Sequence, residues 1–147
     1  MLADDLKVLL ASCYGFAIKA QNFHWNVEGP DFPQYHKFFG KIYEDVFDNA
    51  IDQTAEYIRT LGSYAPGSLT RMAELCIIED QLKIPRAQLM IAELYQDNLK
   101  LIDLLNTCFK SAEQENKQGI MDFLASRLDA HEKWSWQLNS TLKTDRA

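Results

Sequence analysis

Two histidines and two carboxylates in this 147-residue sequence have the types and spacing to hold a metal ion: His24 and His36, then Asp52 and Glu56. Imidazole together with carboxylate suits first-row divalent ions such as iron or zinc. Asp52 and Glu56 are four residues apart, so on a helix they project from one face, one turn apart. They sit beside the apolar positions Ile51 and Ala55, at the edge of a buried stripe instead of opposite it. On these residues alone a plainer alternative stays open. Histidines near helix ends often cap them, and an acid pair at i,i+4 often faces solvent.

Distance sharpens the metal reading. His36 and Asp52 are 16 residues apart, roughly 24 Å along one helix at 1.5 Å per residue. The four side chains therefore cannot share an ion within one chain. If they form one site, the helix that carries His36, Asp52 and Glu56 must lie antiparallel to its copy across a two-fold axis. That predicts an isologous dimer with two identical sites.

The elements that must position these residues read as helices throughout, because apolar residues recur at helical spacing and no stretch alternates with period two. A first helix, roughly 3–27, aligns Leu2, Leu6, Leu9, Leu10, Cys13, Phe16, Ala17, Ala20 and Phe23, and ends where Gly29, Pro30 and Pro33 interrupt it. A second aligns Phe39, Ile42, Val46, Phe47, Ile51, Ala55, Ile58 and Leu61, with Gly62 as its stop. His24 closes the first helix and His36 opens the second, so the broken loop between them can fold the two rings together. A crossover follows, with a short helix at Leu69, Met72, Ala73 and Cys76. Pro85 opens a third long helix to about residue 112, with Leu89, Ala92, Leu99, Ile102, Leu105 and Phe109 inward. A fourth carries Ile120, Phe123, Leu124, Leu128, His131, Trp134, Leu138 and Leu142. The predicted fold is all-α, a ferritin-like four-helix bundle with a short helix in the long crossover, built as a single domain over 1–147.

Composition bounds the function. With 47% hydrophobic and 24% charged residues the chain is an ordered globular protein, and its net charge of −6 argues against a surface that attracts nucleic acid or anionic lipid. No window reaches the roughly 18 apolar residues of a membrane span. Asp4 and Asp5 precede the first Lys, which makes the N-terminus a poor signal peptide. Cys13, Cys76 and Cys108 show no CxxC spacing, so they are read as small buried residues in a reducing, cytoplasmic compartment. His131-Glu132 is read as a packed histidine beside a surface acid, with Trp134 and Trp136 in the bundle and a subunit contact.

The string HWNVEGPDFPQYH, the group Asp52-x-x-Ala55-Glu56 running into Leu61-Gly62, and the closing His131-Glu132-Lys133-x-x-Trp136-x-Leu138 resemble the Dps family of mini-ferritins over about residues 5–143. The resemblance implies a four-helix bundle assembled as a hollow homododecamer from two-fold dimers. It implies oxidation of Fe(II), preferably with hydrogen peroxide and otherwise with oxygen, and storage of a ferric mineral. It assigns His24, His36, Asp52 and Glu56 to a ferroxidase site shared between two subunits, Trp25 to its surroundings, and Asp122 to a pore that iron enters. Glu113 and Glu115 are read as solvated loop acids, with added negative potential at that pore as the alternative.

Two departures from the family pattern bear on that assignment. The family places an acid four residues after its second histidine, where this chain has Gly40, so one ligand is missing. The interval from His36 to Asp52 is also one residue longer than usual. In a regular helix an extra residue would rotate Asp52 and Glu56 by about 100°. A single-turn π-bulge between about residues 43 and 51 would absorb it; otherwise the register has changed and Glu44 or Asp48 takes part instead. The expectation is an iron oxidase and store, with a metal-binding cage holding zinc or structural iron as the alternative. Direct DNA binding is not expected, because basic Lys/Arg-rich tails supply that term in the family and here Asp4 and Asp5 open the chain while the basic C-terminal group, Lys143 to Arg146, is short.

Overall fold

The computed structural model describes residues 1–143, and the segment 144–146 of the C-terminal basic group lies outside them. Among the described residues all regular structure is helical. The elements are α1 (Leu2–Asn26), α2 (Phe32–Val46), a π-helical turn (Phe47–Ile51), α3 (Asp52–Thr60), α4 (Leu69–Leu75), α5 (Ala87–Gln114) and α6 (Gln118–Leu142). α2, the π turn and α3 follow without a break and form one long rod. α1 packs along this rod and against α5, α5 pairs with α6, and α4 lies across α1. The result is the expected four-helix bundle with a long crossover. No helix among the described residues is long and apolar enough to cross a membrane.

Local chemistry explains the boundaries. Asp4 and Asp5 in the first turn of α1 complement its dipole. The first N–H groups of that helix are tied to the far end of α5: the Glu115 carboxylate accepts from Leu2 N at 3.0 Å, and the Ser111 hydroxyl donates to Asp5. Glu115, exposed just beyond the end of α5, thus also serves as a helix cap. α2 starts one turn earlier than its sequence pattern indicates, with Pro33 in the first turn, where its missing N–H is harmless. The rod ends at Gly62 (φ +84°), with Gly62 N donating to Arg59 O and Ser63 N to Ile58 O, a Schellman closure. Asn116 (φ +57°) closes α5 in the same manner.

All nine stripe residues expected on α1 are buried. On α5 the expected inward face is offset: Leu105 is buried as expected, but Ala92, Leu99, Ile102 and Phe109 are only half-buried. Leu89 is 50% exposed, while the buried face runs through Met90, Ile91, Leu94, Asp97, Asn98, Leu101, Leu105, Cys108 and Ala112. Two polar residues in mid-stripe concealed it. Both are satisfied: Asp97 accepts from Lys19 Nζ at 2.7 Å, and Asn98 Nδ2 donates to the His131 carbonyl and the Ser135 hydroxyl, each at 2.7 Å. Lys19 also pairs with Glu93 at 2.8 Å. Burial would lower its ammonium pKa, but these two carboxylates outweigh that and raise it.

A second buried polar network joins the rod to α6. Arg127 donates to both Asp45 oxygens at 3.0 and 2.9 Å, and Trp134 Nε1 donates to Asp45 at 2.8 Å. Arg127 also donates to His131 Nε2 at 3.0 Å, while His131 Nδ1 donates to Asn98 Oδ1 at 2.8 Å. Burial, then the Arg127 charge, lower the His131 imidazole to about 3. Burial alone would raise Asp45, but the Arg127 and Trp134 hydrogen bonds hold it at about 2. His131 is a packed structural residue and Glu132 is exposed, as expected. Trp134 belongs to the bundle, whereas Trp136 is 68% exposed. Cys13 and Cys108 are buried and Cys76 is half-buried.

Candidate metal site

The two histidines meet as the loop predicted. α1 ends as Val27 turns to extended backbone, Gly29 takes φ +124°, and α2 begins three residues later. The imidazoles of His24 and His36 stack with centroids 3.9 Å apart and planes 13° from parallel. Each ring is tied to the other's main chain: His36 Nδ1 donates to the His24 carbonyl at 2.6 Å, and His24 Nδ1 donates to the His36 carbonyl. A carbonyl only accepts, so both neutral rings carry their hydrogen on Nδ1 and leave the Nε2 lone pair free. Metal-binding histidines are held in this way, by a carbonyl on the opposite nitrogen.

The stacking restricts what the pair can hold. An imidazole lone pair lies in the ring plane, so two nearly parallel rings do not converge on one ion; each addresses its own. That donor arrangement suits two ions side by side, as in two-metal centres with ions about 3.5–4 Å apart. Phe32 stacks on His36 at 5.0 Å, and Tyr43 meets His24 edge-on at 5.3 Å. Phe32 belongs to the same sequence cluster as the two histidines, whereas Tyr43 was not identified from the sequence, although it follows His36 by seven residues and so shares its helix face. Trp25 is 64% exposed beside this pair.

Asp52 and Glu56 stand elsewhere. The π turn that was expected between about 43 and 51 is present at Phe47–Ile51. Gln53 Nε2 donates to the Asp48 carbonyl at 3.0 Å and Thr54 Oγ1 to the Ala50 carbonyl at 2.6 Å, so two side chains brace the widened turn. Beyond it, Asp52 and Glu56 are exposed one turn apart on α3. Asp52 lies on the rim of an apolar groove of about 610 Å³ between α1, α3 and the crossover, lined by Tyr14, Ile18, Leu69 and Met72 among others. Among the described residues no three His, Cys, Asp or Glu side chains gather as a metal-holding group within the chain. The histidine half and the acid half are therefore separate within the chain.

The remaining candidates fall as follows. Glu44 is exposed, continues the row His36, Gly40, Glu44 along α2, and lines an open depression with His24, His36, Lys37, Gly40 and Lys41. Asp48 is exposed in the π turn, outside that depression. Asp122 is exposed in α6.

Comparison with known proteins agrees with this fold. The ferritin-like domain family matches residues 3–147. An uncharacterised low-temperature-induced protein of Nostoc is 35% identical over 91% of this chain and 75% of its own length. The crystal structure of Dps from Staphylococcus aureus superposes with a TM-score of 0.93 at 26% identity, covering 98% of this chain and 96% of that one. The Dps protein of Vibrio cholerae, described as a member of a broad superfamily of ferritin-like diiron-carboxylate proteins, gives 0.92 at 26% identity, over 97% and 89% of the two chains.

Proposed function

We propose, from the premise that the chain belongs to the ferritin-like family and within it to the Dps proteins, that it oxidises Fe(II) at a site completed by two subunits and stores the ferric product. Membership carries iron storage and ferroxidase-type chemistry in general. The finer reading rests on one observation above all: two imidazoles are locked with Nε2 free, while among the described residues of the same chain no set of acids gathers with them into a metal-holding group. A second copy laid antiparallel across a dyad brings Asp52 and Glu56 to the histidines. The apolar groove beside Asp52 and the exposed Ile18 and Trp25 supply surface for that contact.

In this reading iron is the substrate. His24 and His36 each offer one neutral nitrogen, and Asp52 and Glu56 of the neighbour offer negative charge that favours the higher oxidation state. Two Fe(II) ions each give up one electron, hydrogen peroxide takes both, and its O–O bond breaks to give water-level oxygen. The resulting Fe(III) hydrolyses, releases protons and passes into the cavity of a dodecameric shell as mineral. Oxygen serves as a slower oxidant, Asp122 lines an uptake pore, and the protein acts in the cytoplasm, where it keeps Fe(II) and peroxide from meeting freely. Direct DNA binding plays no part, since the net charge of −6 opposes it.

The test combines mass and chemistry. Light scattering should give twelve times the chain mass. Anaerobic Fe(II) loading followed by peroxide should give rapid ferric absorbance that His24→Ala and Glu56→Ala each abolish. Zinc or iron binding without oxidation would favour the metal-binding cage, and a monomer in solution would overturn the shared site.

A further inference from the structure

We infer that Gly40 is a positioning residue: its missing side chain is what lets the His24 ring lie on His36 with both Nδ1 atoms tied to the main chain. The inference rests on the reading of this pair as a metal-binding site. In the family pattern this position carries an acid, so the glycine reads as a lost ligand. The geometry gives it a different role. A Cβ built on Gly40 would stand 3.0 Å from both Cε1 and Nδ1 of His24, tighter than nine in ten such contacts, so the ring would have to give by a few tenths of an ångström. Gly40 is buried in mid-helix and does not take a positive φ, unlike Gly29 and Gly62. Backbone conformation therefore does not require glycine here; close approach does.

His24 has little room to yield. His36 stacks on it at 3.9 Å, Tyr43 meets it edge-on at 5.3 Å, and its Nδ1 is held by the His36 carbonyl. Shifting the ring off Gly40 lengthens that bond and tilts the stack, which misdirects the Nε2 lone pair. An acid placed at 40 would thus weaken the histidine half instead of completing it.

The experiment compares Gly40→Ala and Gly40→Asp with the wild-type assembly by Co(II) titration, read from visible absorption, and by crystal structures of the metal-free variants. Gly40→Ala should lose roughly 10–100-fold in Co(II) affinity, the usual cost of disturbing a ligand's outer hydrogen bond. Its melting temperature should change only by a few degrees, since alanine's better helix propensity offsets part of the cost of displacing the ring. Gly40→Asp should lose at least as much despite its added carboxylate. The inference is overturned if Gly40→Asp binds Co(II) more tightly or takes more ions. It is equally overturned if either variant keeps the stacked rings and both Nδ1 bonds. Should wild type itself bind no Co(II), the metal reading fails, and the variant crystals alone then decide the steric claim.

Discussion

His131 sets a pH dependence of stability that can be worked from its surroundings. Its side chain is 1% exposed, Arg127 faces Nε2, and the folded imidazole is lowered from 6.5 to about 3. Between these values the unfolded chain binds a proton that the folded chain refuses. This contribution to stability is whole above about 6.5 and is lost as pH falls towards 3, at about 1.4 kcal/mol per pH unit. From pH 7 to pH 5 the loss is about 2 kcal/mol, and any folded value below about 4 gives the same figure. Asp45 titrates towards about 2 and stays outside this window. The perturbation is His131→Gln, whose amide keeps one donor for Asn98 and one acceptor for Arg127 but cannot titrate. Urea denaturation at pH 7, 6 and 5, at one fixed protein concentration, should show wild type losing about 2 kcal/mol more than the variant. All other titrating groups are common to both and cancel. Parallel curves would refute the reasoning.

Three further outcomes follow from the packing. Deleting Asn49, which is exposed in the π turn, should return Phe47–Ile51 to α-helix with Asp52 and Glu56 still on their present face, so helicity and metal binding should persist; loss of both in circular dichroism and Co(II) titration would count against the π turn as an absorbed insertion. Gly15→Ala would drive a Cβ into Cys76 Sγ and should cost about 1–3 kcal/mol in denaturation, restored by adding Cys76→Ala. Burial pushes the Cys13 and Cys108 thiols up to about 12, so neither should react with a thiol reagent in native protein at pH 8, while denatured protein should expose all three.

The bundle was legible where burial and hydrophobicity coincide. On α1 each stripe position is apolar, and periodicity alone located the face. On α5 it failed because Asp97 and Asn98 occupy the buried face, and their partners Lys19 and His131 lie 78 and 33 residues away. Periodicity carries no information on such pairings. The π turn was legible for a different reason: measured against the spacing of the family this chain resembles, one surplus residue between His36 and Asp52 must be accommodated in the rod. For the site, the Gly/Pro loop foretold that the histidines meet, but not that they stack, because side-chain torsions decide that. Gly40 was read as an absence for the same reason; only the position of the His24 ring shows that the volume is taken.

The double tie between His24 and His36 has a bearing on how the molecule is built. It joins residues only 12 apart across one turn, so the closed loop is short and its entropic cost small. Contacts so local belong to the fast-forming class. On the proposed two-subunit site, the hairpin itself would arrange the nitrogen donors during folding of one polypeptide, before any encounter between subunits, and assembly would have only to deliver the oxygen donors to a receptor already set.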